Sequence, residues 1–333
     1  MNDVEAKYYR KMEKGVQCLL CPQVCVIAEG ETGLCRTRRR RGDRLALENY
    51  GRYTSMAMDP IEKKPLYHFH PGREILSIGG KGCNLGCVFC QNWGISHEDP
   101  PTRRITPEKL ADAADAPGNL GVAFTYNEPF IWFEFIRDCA GPLRDRGKKV
   151  VLVTNGYVNP EPLDEILPVI DAMNVDLKSF DDAFYRKYCS GRLAPVKRTI
   201  RKAAAAGTHV EVTLLLVTGL NDGDENVGRM ADWLSEVDDA IPFHISRFFP
   251  AYKLDLPPTP MEKMRRAYEI ASEKLKYVYL GNLGDPRYSR TRCPSCGEIV
   301  IERTGYSTRV VGLKEGGACA GCGSGVDIEG AAA

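Results

Sequence analysis

The chain has 333 residues, enough for one large barrel or two medium domains. Its 45 Lys+Arg against 44 Asp+Glu leave no bulk charge to draw it to nucleic acid or to a membrane surface. Purely apolar runs such as 150–153 and 214–217 fall far short of the ~20 residues of a membrane span, and residues 1–13 are polar and mixed in charge, so the expectation is a cytoplasmic protein with no membrane contact.

Along the chain, residues 1–70 form a lead-in that carries Cys18, Cys21, Cys25 and Cys35, followed by an arginine-rich run at 36–41 that reads as solvated surface. Residues 71–288 alternate short β-branched runs with amphipathic stretches. Strands are expected at 74–79, 121–125, 149–154, 172–177, 210–217 and 243–246. Helices are expected at 107–114, where Thr106 is a good N-cap, and at 129–138, 161–166, 196–206 and 225–237. Six strand–helix units predict a parallel sheet with helices outside it: an α/β fold, a partial (β/α)6 barrel, with a doubly wound sheet as the alternative. Polar residues sit where strands end, at Asn127 and Glu128, Asn155, Asp176 and Lys178, and His244. In parallel α/β folds such positions face one cavity. Residues 289–333 return to paired cysteines and many glycines.

Cysteine is the unusual count. Of thirteen, eleven fall into three tight groups, leaving Cys139 and Cys189 apart, and both of these read as core. Close spacing and an odd total favour metal ligation over disulfides. Cys83, Cys87 and Cys90 form C-x3-C-x2-C behind the first barrel strand, with no fourth cysteine nearby. A closed zinc site wants four ligands, whereas three thiolates suit a 4Fe–4S cluster with one iron left open. A zinc knuckle completed by His97 is the bland alternative. Cys293 and Cys296 pair with Cys319 and Cys322 as a zinc-ribbon signature, structural zinc being preferred over an auxiliary cluster. The N-terminal set, Cys18, Cys21, Cys25 and Cys35, reads as a zinc site or a second cluster.

The triplet, with Phe89 before its last cysteine, resembles the hallmark of radical SAM enzymes. The resemblance spans nearly the whole chain. Pro65-Leu66-Tyr67-His68-Phe69, Thr125-Tyr126-Asn127-Glu128-Pro129, Val153-Thr154-Asn155-Gly156-Tyr157, Val175-Asp176-Leu177-Lys178 and His244-Ile245-Ser246-Arg247-Phe248 are similar to the branch related to pyruvate formate-lyase activating enzyme. Within that branch they resemble the radical SAM member of the AmmeMemoRadiSam system. The resemblance implies that a 4Fe–4S cluster on Cys83, Cys87 and Cys90 binds S-adenosylmethionine (SAM) and cleaves it reductively to a 5′-deoxyadenosyl radical. It implies that Asn127 and Glu128 meet the cofactor's amino group, that Asp176 and Lys178 contact it with Lys178 at its carboxylate, that His244 lies near the ribose and that Phe89 lies beside the adenine. Asn155, at the end of its strand, joins this cofactor-binding set. A one-electron donor such as a ferredoxin or flavodoxin, and companion proteins of the same system, are the implied partners.

Three functions follow as expectations. The first choice is hydrogen abstraction from an unidentified small molecule or peptide. The second is activation of a glycyl-radical enzyme, against which stands the four-cysteine module in place of the activases' N-terminal glycine-rich element. The third is a non-catalytic zinc- or nucleic-acid-binding scaffold, which has no need of polar residues at strand ends.

Overall fold

A computed structural model describes residues 4–331. Eight strands form the central sheet: β1 (Ser55–Pro60), β2 (Glu74–Gly79), β3 (Asn119–Phe124), β4 (Lys149–Thr154), β5 (Ala172–Asp176), β6 (His209–Leu216), β7 (Phe243–Arg247) and β8 (Val278–Gly281). They lie in sequence order from one edge to the other, β2 to β8 all parallel, with β1 antiparallel on β2. A doubly wound sheet reverses its strand order at a switch point; this sheet never does, and its two edge strands remain unpaired with each other. The architecture is therefore the partial barrel.

Six longer helices fill the crossovers in turn: α1 (Pro107–Ala114), α2 (Phe133–Arg144), α3 (Pro160–Ile166), α4 (Leu193–Ala205), α5 (Asp224–Asp238) and α6 (Met261–Ser272). Six strand–helix units are thus present, and β8 extends the sheet by a seventh parallel strand. Helices outside and a filled interior bury both sheet faces, so all six residues of β3 are buried. At Gly121 a Cβ would collide with the Lys149 carbonyl, so glycine is what lets β3 approach β4. Thr106 caps α1 by accepting the Lys109 N–H at 3.3 Å. The expected helix at 129–138 differs. It begins as a 3₁₀ turn, Pro129–Trp132, and continues as α2 through Pro142, because its apolar face, including Phe133, Ile136 and Leu143, is buried to the end.

The N-terminal segment folds into small antiparallel sheets rather than a solvated arm. Tyr9–Met12 pairs with Gly15–Cys18, and Arg38–Arg41 pairs with Arg44–Leu47. This corrects the surface reading of the arginine run. Strand alternation turns Arg38 inward, where it is 1% exposed and grips Glu134 of α2 at 2.7 and 2.8 Å. Residues 291–310 form a three-stranded antiparallel ribbon, whose Cys293, Val300 and Ile301 pack on Tyr277 and on Tyr279 of β8. Cys139 and Cys189 are both fully buried. Among the described residues no helix is long and apolar enough to cross a membrane.

Candidate active site

The parallel strands end in a cavity of about 890 Å³. Cys83, Cys87, Cys90 and Phe89 enter it from the loop after β2, and Asn127 and Glu128 from the end of β3. Asn155 follows β4, Asp176 and Lys178 close β5, and His244 lies on β7. The residues expected at strand ends, from five different strands, therefore meet at one place. The far wall was not anticipated. It comes from Lys63 and Lys64, from residues 280–285 at the end of β8 and just beyond it, and from Thr304, Gly305 and Tyr306 at the tip of the ribbon.

The cysteine loop is held on every side. Asn127 accepts the Gly80 N–H and donates to the Gly82 carbonyl, both at 3.0 Å. Gly82 adopts φ +88°, and a Cβ there would strike the Cys35 carbonyl of the N-terminal module. The Gly86 and Val88 N–H groups donate to the carbonyls of Cys189 and Tyr188 at 2.8 and 3.0 Å. The Asn155 amide donates to Asn84 Oδ1 at 2.9 Å and to Cys83 Sγ at 3.6 Å, and the Leu85 N–H reaches the same sulfur at 3.4 Å. Donors aimed at a sulfur favour its thiolate, which is the form a metal needs. Three thiols on one glycine-bearing loop, served by such donors, fit a cubane cluster.

Charges in the cavity are arranged in pairs. Glu128 is buried and accepts from Phe130 N, Thr154 Oγ1 and Asn155 N at 2.7–2.9 Å. Burial pushes its pKa up to about 7 despite these bonds. Lys178 Nζ lies 3.0 Å from Asp176 Oδ2. Burial opposes the lysine's charge, but Asp176 and the nearby thiols prevail and hold its pKa well above the usual value. His244 donates from Nε2 to Glu211 Oε2, 2.6 Å away, and its ring stacks on Tyr279. Glu211 was missed. It also accepts the N–H groups of Tyr67 and His68, at 2.9 and 2.7 Å. Burial works against its charge, yet His209 and His244 hold its carboxyl well below the usual carboxylate range. A sequence signal existed: His209, Glu211 and Thr213 alternate along β6 and so share one face. His97 lines the cavity but stacks on Tyr252, with ring centroids 5.2 Å apart.

The two flanking cysteine sets differ in spacing. Cys293, Cys296, Cys319 and Cys322 gather with all four sulfurs within 4.8 Å of one another, two pairs at 3.6 and 3.7 Å. Cys18, Cys21, Cys25 and Cys35 surround a second, much smaller cavity.

Comparison with known proteins agrees with this geometry. Residues 77–234 match the family model of the radical SAM superfamily. An uncharacterized protein of Methanocaldococcus jannaschii is 41% identical over 332 residues, covering 97% of this chain and 99% of that one. The pyruvate formate-lyase 1-activating enzyme of Escherichia coli is 24% identical over 180 residues, covering 49% of this chain and 72% of that one. In fold alone, the chain resembles SuiB of Streptococcus suis, solved with S-adenosylmethionine, at 14% identity and a TM-score of 0.50, over 60% of this chain and 48% of that one. Triplet, partial barrel and relatives converge: the chain is a radical SAM enzyme, belonging to the superfamily whose members use a 4Fe–4S cluster to cleave S-adenosylmethionine.

Proposed function

We propose that this enzyme acts directly on a small molecule or short peptide, which enters between the strand ends and the C-terminal ribbon. The observation that carries this reading is the cavity's far wall. The ribbon tip at Thr304, Gly305 and Tyr306, with residues 280–285, encloses a space at the upper end of the range for ligand pockets. Such a wall suits a compact substrate held beside the cofactor.

In this proposal Cys83, Cys87 and Cys90 would hold the cluster, which when reduced would supply the electron for cleavage of SAM to methionine and a 5′-deoxyadenosyl radical. The chain's own residues bind, orient and shield. Glu128 uses three of its roughly four acceptor positions internally, leaving one for an ammonium. Lys178 presents a cation to a carboxylate, and Asp176 fixes its position. His244, braced by Glu211, faces the ribose side, and Phe89 packs beside the adenine. Asn127 restrains the cysteine loop at Gly80 and Gly82, and Asn155 donates to Cys83 Sγ. A ferredoxin- or flavodoxin-type donor supplies the electrons. The C-terminal set holds a structural zinc. Four bonds of about 2.3 Å place tetrahedral sulfurs ~3.8 Å apart, close to the spacings of 3.6 and 3.7 Å.

Anaerobic incubation with SAM and dithionite, quantifying 5′-deoxyadenosine, tests the chemistry. Product is expected from the wild-type chain and none from Cys83→Ala; undiminished product from that variant would sink the assignment. The similarity to an activating enzyme supports a second reading, transfer of the radical to a partner protein. A stable glycine-centred signal in electron paramagnetic resonance, on mixing with a candidate partner, decides for it.

A further inference from the structure

The N-terminal cysteines lie outside the stretch that matches the radical SAM superfamily, yet the fold sets them directly behind its cysteine loop. Cys18, Cys21 and Cys35 are buried, and Cys25 is half-buried. All four line one cavity, closed by apolar side chains such as Leu20, Ile27 and Ile131. We propose that Cys18, Cys21, Cys25 and Cys35 hold a second iron–sulfur cluster rather than a zinc ion.

Spacing is the first ground. Among the described residues, the C-terminal set is the one group of three or more His, Cys, Asp or Glu ligand atoms lying within 4.8 Å of one another. The N-terminal thiols form no such close group, and neither do Cys83, Cys87 and Cys90, to which the proposed function gives a cluster. One protein thus displays both arrangements, and the N-terminal set shares that of the Cys83 loop.

The second ground is an unpaired donor. Arg38 lines this cavity and is 1% exposed. Its terminal nitrogens bond Glu134 and the Lys7 carbonyl at 2.6–2.8 Å, but its Nε has no partner. A buried N–H left unbonded costs about 1–3 kcal/mol, a cost that a neighbouring acceptor would remove. Cluster and thiolate sulfurs are such acceptors, and hydrogen bonds to them are a regular part of cluster binding.

The site is also wired to the catalytic loop. Gln23, between Cys21 and Cys25, donates to the Asn84 carbonyl at 2.9 Å and to the Ser190 carbonyl at 2.6 Å. Asn84 lines the small cavity, and its Oδ1 accepts from Asn155, which in turn reaches Cys83 Sγ. Gln23, Asn84 and Asn155 therefore connect the two cysteine sets by hydrogen bonds.

Metal analysis of the full chain, purified and reconstituted anaerobically, tests this. A Cys83→Ala/Cys87→Ala/Cys90→Ala variant is expected to retain iron and acid-labile sulfide in equal amounts, with visible absorbance that dithionite bleaches and about one zinc per chain from the ribbon. A variant that retains no iron, or holds about two zinc ions per chain, overturns the proposal. Should that variant fail to fold, Cys18→Ser/Cys21→Ser gives an independent answer. It is expected to lose a large fraction of wild-type iron and sulfide with zinc unchanged; unchanged iron, or a halved zinc content, overturns the proposal. Because this reading concerns metal content, its failure would leave the SAM-cleavage assignment untouched.

Discussion

Asn155 illustrates how a single side chain would serve the proposed cluster without ligating it. Its amide nitrogen reaches Cys83 Sγ at 3.6 Å while its oxygen accepts the Tyr157 N–H at 2.9 Å. A donor on a ligand sulfur stabilises the more negative, reduced cluster. Asn155→Ala is expected to move the potential of the Cys83 cluster about 20–60 mV more negative, the equivalent of one net hydrogen bond of ~0.5–1.5 kcal/mol. A redox titration followed by electron paramagnetic resonance measures it, and a shift to higher potential contradicts this account. His68 belongs to the same scale. It is fully buried, and its Nδ1–H donates to the Asp327 carbonyl, since a carbonyl only accepts, so Nε2 accepts from the Tyr279 hydroxyl, both at 2.6 Å. Burial lowers its pKa to about 4. The folded value lies below the unfolded ~6.5, so the unfolded chain takes up the proton first. Stability is complete above pH 6.5 and is lost as pH falls towards 4, by about 2 kcal/mol at pH 5. His68→Gln should flatten the pH dependence of the urea midpoint between pH 7 and 5.

At the scale of elements, one buried ion pair locks a strand to a helix. The pair Arg38–Glu134 joins the N-terminal hairpin to α2, with both side chains almost fully buried. Glu134→Ala strands a buried guanidinium and is expected to cost about 3–5 kcal/mol, read as a lower urea midpoint. Replacing both partners by apolar residues of similar volume should cost much less, because the desolvation of both charges is then avoided. The Arg38 run also shows why a charge-rich segment need not be solvated. Four arginines in a strand alternate sides, and the buried one finds a carboxylate on a helix nearly a hundred residues away.

Over the whole molecule, the C-terminal ribbon is both a brace and a wall. A relay runs from Arg303 to Thr291 Oγ1 at 2.8 Å, on to the Tyr279 hydroxyl at 2.9 Å, and through His68 to the Asp327 carbonyl. It ties the ribbon to β8 and to the segment before β2. Further on, the same ribbon presents Thr304, Gly305 and Tyr306 to the active-site cavity. Cys319→Ser/Cys322→Ser is expected to lose about one zinc per chain and to lower Tm on the order of 5–10 °C, measured by metal analysis and calorimetry. Substrate turnover should fall more than substrate-free SAM cleavage, because the ribbon walls the substrate side of the cavity. Equal losses would place the ribbon's role in stability alone.

The chain by itself determined what depends on short-range pattern. Strand and helix periods, the glycine-bearing Cys83–Cys87–Cys90 loop and the strand-end residues from Asn127 to His244 were legible because neighbours in sequence stay neighbours in space. The four-residue strand β8 was too short to register, and the helix expected to end at 138 runs on to Arg144 because its apolar face stays buried. Only the tertiary structure decided which partners distant residues found: Glu211 with His244, Arg38 with Glu134, and the ribbon tip with the cavity. It also set the distances that separate one cysteine set from another. Two C-x2-C pairs and a C-x2-C-x3-C-x9-C run look alike as ligand lists, but the spacing of sulfurs is a property of how segments pack.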